Sequence, residues 1–175
     1  LIVATRKGNQ QAQQAYQAVE RADRKWTDAA ADVPVNASGK DAIRTTQQGI
    51  SISVPNDPSS KMTIAGRNGK VSVGLPFSGS ASKAASSHAG TATFDNKNGS
   101  STTPIVRKDG SVQINTVIND AKAPKHYAYK MQVPEGAKIQ RAGSSVLVTK
   151  GKKMVVGIAP AWAKDAKGKS VPTHY

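Results

Sequence analysis

From residue 50 onward, apolar and polar residues alternate in short stretches. Ile50-Ser51-Ile52-Ser53-Val54, Met62-Thr63-Ile64, Val71-Ser72-Val73-Gly74-Leu75, Val112-Gln113-Ile114 and the seven residues Tyr127–Val133 all carry a period of two. That period predicts half-buried strands. Val146-Leu147-Val148 and Met154–Ile158 add two more, the last almost continuously apolar. Corners fall between them. Asn68-Gly69, Asn98-Gly99, Asp109-Gly110 and Lys150-Gly151 place glycine where a tight turn needs positive φ, which predicts antiparallel hairpins.

Before residue 32 the pattern is different. Residues 9–31 contain no Gly or Pro, and Ala12, Tyr16, Val19, Ala22, Trp26 and Ala30 recur at steps of three and four, predicting a helix N-capped by Asn9. The stripe is rich in alanine, so such a helix needs a surface to lie on. Residues 32–48 have no period and read as a linker. Ser78–Gly90, SGSASKAASSHAG, reads as a mobile loop. The expectation is a mainly β chain, an antiparallel β-sandwich or barrel-like fold with one N-terminal α-helix. Residues 1–48 would be helix and linker, and residues 49–175 the β domain.

Composition narrows this picture. Leu, Ile, Val and Phe together supply only 31 of 175 residues, and 26 of these are Val or Ile, so a thin core is spent on strands. Cysteine is absent, which excludes disulfides and thiolate metal sites. No apolar run is long enough to predict a transmembrane segment, and Leu1-Ile2-Val3-Ala4 is too short for a signal core.

The net charge of +14 is uneven, since residues 120–175 hold eleven basic side chains against three acidic ones. A field of this sign attracts polyanions. The densest spots are Lys150, Lys152 and Lys153 in one turn and Lys164, Lys167 and Lys169 in another, which together form the candidate anion-binding set. Lysine at turns also keeps strand edges soluble. With 18 Lys against 7 Arg, the chemistry suits diffuse attraction better than bidentate recognition. Tyr127 and Tyr129, flanked by Lys125, His126 and Lys130, are the one aromatic-basic cluster, and a core role is expected for the tyrosines.

Catalytic signals are sparse. His88, His126 and His174 have no partner at metal-ligand spacing, and no serine lies in a nucleophile elbow. Asp95, Asp109, Asp120 and Asp165 lie in turns, where Asp bonds its own backbone. No catalytic residue, metal ligand or small-molecule cofactor is assigned.

The order of ISISVP (Ile50–Pro55), VSVGLPF (Val71–Phe77), DGSVQINTVIND (Asp109–Asp120), Ala123-Pro124, YKMQVPEGAKI (Tyr129–Ile139) and APAWAKDAKGKSVPTHY (Ala159–Tyr175) resembles a group of secreted or surface-exposed actinobacterial proteins. Trp162, Asp165, Gly168, Pro172 and Tyr175 fall on a PWAxDAxGxxVPTxY-type element of that group. The resemblance implies export and a secreted or cell-surface setting. It also implies a chain that continues past Tyr175 into another strand, so that the β domain is truncated here, and it supplies no catalytic residues. Members of the group are often acidic, whereas this chain is basic.

Trp162, between alanines and beside Pro160, is expected to cover one end of the sandwich. The functional expectation is a non-enzymatic secreted module that binds an acidic envelope polymer or other polyanion, or serves as the carrier or pro-region of a larger exported protein. In the latter case its partner would be its own C-terminal region or another protein. The alternatives are a secreted cationic antibacterial protein, a hydrolase with a site around His126 and a non-specific nucleic-acid binder.

Overall fold

The computed structural model describes the backbone of residues 2–175 and the side chains of residues 8–175. Leu1, the start of the apolar Leu1–Ala4 run, lies outside them.

The chain is mainly β. Strands β1 (Asp41–Gln47), β2 (Ile50–Pro55), β3 (Met62–Gly66) and β4 (Gly69–Val73) form an antiparallel meander that β8 (Met131–Gln132) joins at the β4 edge. Alternation aligns its apolar face. Ile43 opposes Val54, Ile52 opposes Ile64, Ile64 opposes Val71 and Met62 opposes Val73, and all of these but the half-buried Ile64 enter one core. A second sheet, β5 (Phe94–Asp95), β6 (Ser100–Val106) and β7 (Val112–Ile118), closes that core with Phe94 and Val106. A third, β9 (Lys138–Ala142), β10 (Ser145–Lys150) and β11 (Lys153–Ile158), contributes Val148, and the architecture is sandwich-like. A small hairpin, β12 (Ala163–Lys164) and β13 (Ser170–Val171), follows.

The helix begins earlier than the sequence predicts. Helix α1 runs from Ile2 to Ala22, so Asn9 lies inside it rather than capping it. Asp23 breaks the helix with φ −164° and caps the short α2 (Arg24–Asp28) by accepting from Lys25 N. Ala15 and Val19 of α1 pack on Ile105 and Val117, the face of β6 and β7 turned away from the main core. Strand β6 is thus covered on both faces, which is why all seven of its residues are buried although four are Ser or Thr.

Further departures have local causes. Residues 41–47, inside the expected linker, form β1, and a bulge between Asp41 and Ile43 buries Ala42 and Ile43 side by side, erasing the period. Of the predicted strand at 127–133 only Met131 and Gln132 form strand; Gly74 N still donates to Lys130 O at 2.7 Å, and β4 then turns away at Leu75-Pro76, so the pairing stops there. All five residues of strand β9 are exposed and its one strand partner is β10, so no hydrophobic pattern marked it. The segment 78–90 is tied to the body through Ser82 N to Asp95 O, Ala84 N to Asn56 O and the Ala85–Thr93 bridge.

All four glycine corners form as predicted, with φ of 140° at Gly69, 85° at Gly99, 85° at Gly110 and 60° at Gly151. Gly90 serves a different need, since a Cβ there would meet the Ala31 carbonyl oxygen at 2.4 Å. Among the described residues no helix is long and apolar enough to cross a membrane.

Candidate anion-binding site

The hairpin meander gathers its turns at one end of the molecule. A Cβ on Gly110 would meet Gln47 O at 2.7 Å and Ile50 Cγ1 at 3.0 Å, so the β6–β7 turn abuts the β1–β2 turn. A Cβ on Gly66 would meet Ile50 Cδ1 at 3.1 Å, which brings in the β3–β4 turn. Asn68 then donates from Nδ2 to Met154 O at 2.9 Å, joining that turn to the start of β11. Beside it, the Pro134–Ala137 turn closes through Ala137 N to Pro134 O and packs Pro134 against Gly69.

These turns form a row, and they carry exposed cations: Lys108, Arg67, Lys70, Lys150, Lys152 and Lys153, with Lys138 at the start of β9. The carboxylates along the same turns are Asp109 and Glu135. Asp109 is already engaged, accepting from Ser111 N at 2.9 Å and lying 3.9 Å from Arg107 Nη1. Hydrogen bonds from the Ser111 hydroxyl and backbone hold its carboxyl below the usual range, with Arg107 helping. None of the seven cations takes part in an ion pair within 4.0 Å among the described residues. Three of the six lysines singled out from sequence, Lys150, Lys152 and Lys153, belong to this row. Lys108, Arg67, Lys70 and Lys138 lie outside that set: Arg67 and Lys70 read in sequence as part of an ordinary hairpin turn, and these four join the others only through the stacking of turns.

Lys164, Lys167 and Lys169 occupy different surroundings. Lys164 donates from Nζ to Ala22 O at 3.1 Å and sits 3.6 Å from Asp23 Oδ2, at the carbonyl end of α1 where a cation is favoured. It clasps the β12–β13 hairpin to the helix. The backbone N–H groups of Lys167 and Lys169 both donate to Asp165 Oδ1 at 2.9 Å, which sets the turn and leaves their side chains exposed. Asp95 and Asp120 bond their own loops in the same way, through Lys97 N and Lys122 N. Trp162 does not cover the end of the sandwich. It stacks on Trp26 of α2 and stays 41% exposed.

The aromatic-basic cluster resolves into core and surface. Tyr129 packs against the main core, and its hydroxyl lies 2.9 Å from Thr116 Oγ1. Burial pushes its pKa up, as expected for a phenol withdrawn from water. Tyr127 makes an edge contact with Phe77, a residue at φ 54°. His126 and Lys125 are exposed.

The three histidines lie apart in the sequence and in their contacts. His88 stacks on Tyr16 with ring centroids 3.6 Å apart and has Ser87 Oγ 2.7 Å from Nδ1, whereas His174 lies in the tail near Arg141 and Tyr175. Among the described residues no group of three or more His, Cys, Asp or Glu is placed to hold a metal ion. Comparison with known proteins returned no matching family model, no matching curated protein and no matching solved structure.

Proposed function

We propose that the protein is a non-enzymatic module that captures an acidic polymer of the cell envelope, from a secreted or surface-exposed position, along the row of hairpin turns. The observation that supports this reading is the alignment of seven exposed, unpaired cations on neighbouring turns. Such a row suits a linear polyanion better than a compact anion. A single phosphate needs a cradle of convergent donors, whereas a chain is held by charges spaced along its path. The predominance of lysine favours point-charge attraction and release of counterions over a geometric fit. Tyr129, held in the core, is not free to stack on bases, which favours an envelope polymer over nucleic acid.

The test is retention on an immobilised polyphosphodiester of the teichoic type as salt is raised. Replacing Lys150, Lys152 and Lys153 together by Gln is expected to flatten the slope of log affinity against log salt by about three, one unit per cation lost. Replacing Lys167 and Lys169, which lie outside the row, is expected to change affinity by less than about twofold, the scale of a single exposed ion pair. Equal effects of the two variants would show that net charge, not the row, holds the polymer. Retention by DNA alone would move the reading to nucleic acid.

A further inference from the structure

Trp162 is a large apolar side chain left 41% exposed in a chain that has few such residues to spend. Its indole lies nearly parallel to that of Trp26, with planes 10° apart and centroids 5.8 Å apart, and the Arg107 guanidinium sits 4.7 Å from the Trp26 centroid. Arg107 belongs to the turn that begins the cationic row, with Asp109 and Ser111 beside it. Packed against Trp26 and 41% exposed, the Trp162 indole is held in place, so a ligand meets little entropy of immobilisation there. The Lys164–Asp23 pair lies next to it, with side chains 26% and 28% exposed. Lys164 has three N–H donors, of which Ala22 O takes one, and Asp23 retains acceptor capacity beyond its bond to Lys25 N.

We propose that the open face of Trp162 is a platform for a pyranose ring, and, resting on the reading of the cationic row, that the acidic polymer held there is a glycan. One indole face is far smaller than the roughly 800 Å² per partner that a stable protein interface needs. It matches the C–H face of a single sugar ring, which stacks on an aromatic plane while its hydroxyls turn outward. A mixed pair such as Lys164 and Asp23 both donates to and accepts from hydroxyl groups. Trp26 and Arg107 link the platform to Lys108 and the row, so acidic groups further along the same chain meet the lysines.

The experiment uses neutral soluble oligosaccharides of N-acetylglucosamine and of glucose, an oligogalacturonate and free adenosine. Binding is followed by the two indole N–H resonances, at a salt concentration that abolishes polyanion retention. A saturable shift of the Trp162 resonance with at least one saccharide is expected. Trp162→Ala should lose about fivefold or more in affinity, the lower end of what removing a stacking aromatic does to a bound ring. Trp162→Tyr keeps a flat ring and the Lys164 clasp, so retained binding in that variant assigns the loss to the platform rather than to an undocked hairpin. No saturable shift with any saccharide, a shift unchanged in Trp162→Ala, or a shift with adenosine alone would overturn the proposal. Because the neutral sugars do not need the lysines, such a failure leaves the polyanion reading to its own test, and loss of salt-dependent retention in the lysine variant leaves the platform to this one.

Discussion

Tyr129 shows how one side chain couples burial to pH. Its phenol is partly buried against the core and bonded to Thr116, and its pKa is raised above the ordinary value of 10.0. A raised folded-state pKa gives stability that is complete below the unfolded value and lost as pH climbs toward the folded one. Stability in urea is therefore expected to fall as pH rises above about 10, and Tyr129→Phe should flatten that fall while costing about 1 kcal/mol at neutral pH for the lost bond. A fall of the same steepness in Tyr129→Phe would place the alkaline sensitivity elsewhere. Ser101 offers the opposite case. Its Oγ is fully buried in β6 and has no protein partner, whereas the neighbouring Thr102 hydroxyl is shared with Asn96. Ser101→Ala is expected to be neutral or up to about 1 kcal/mol stabilising, and Thr102→Val to cost about 1–2 kcal/mol, because only the second leaves a buried amide short of a bond. Thermal denaturation of the two variants decides this. The aspartate turns at this scale were legible in sequence, since these bonds reach only two to four residues along the chain. The partnership of Asn96 with Thr102 was not, because it spans a hairpin.

At the scale of elements, alternation marked strands where one face is buried and failed where burial is two-sided, absent or interrupted. Strand β6 is covered by α1 and by the core, β9 by neither, and β1 carries a bulge, so none keeps a period of two. The third sheet tests how burial distributes energy along one rung. Val148 is fully buried, while Ile139, directly opposite it on β9, is 52% exposed. Val148→Ala is expected to cost about 2 kcal/mol and Ile139→Ala less than about 0.5 kcal/mol, measured by denaturant midpoints at unchanged slope. Comparable losses would mean that β9 shares the core through contacts beyond its pairing.

The whole molecule carries a net charge of +14 on a thin core, so its charges repel one another in the folded state as well as attracting polyanions. Adding salt is thus expected to act with opposite signs on two observables. The melting temperature rises between low ionic strength and about 0.15 M, where charges beyond roughly 8 Å are screened, while polyanion retention falls over the same interval. A melting temperature that drops together with retention would contradict self-repulsion as the dominant field. The mainly β architecture, the glycine corners and the cationic character follow from the sequence alone, because period, turn preference and charge are local or additive properties. Tertiary packing decided which cations share a surface. It aligned Lys108 and Arg67 with Lys150 and its neighbours, drew Lys164 away to the end of α1, and set Trp162 on Trp26, since stacked turns and a docked hairpin join residues that no spacing along the chain relates.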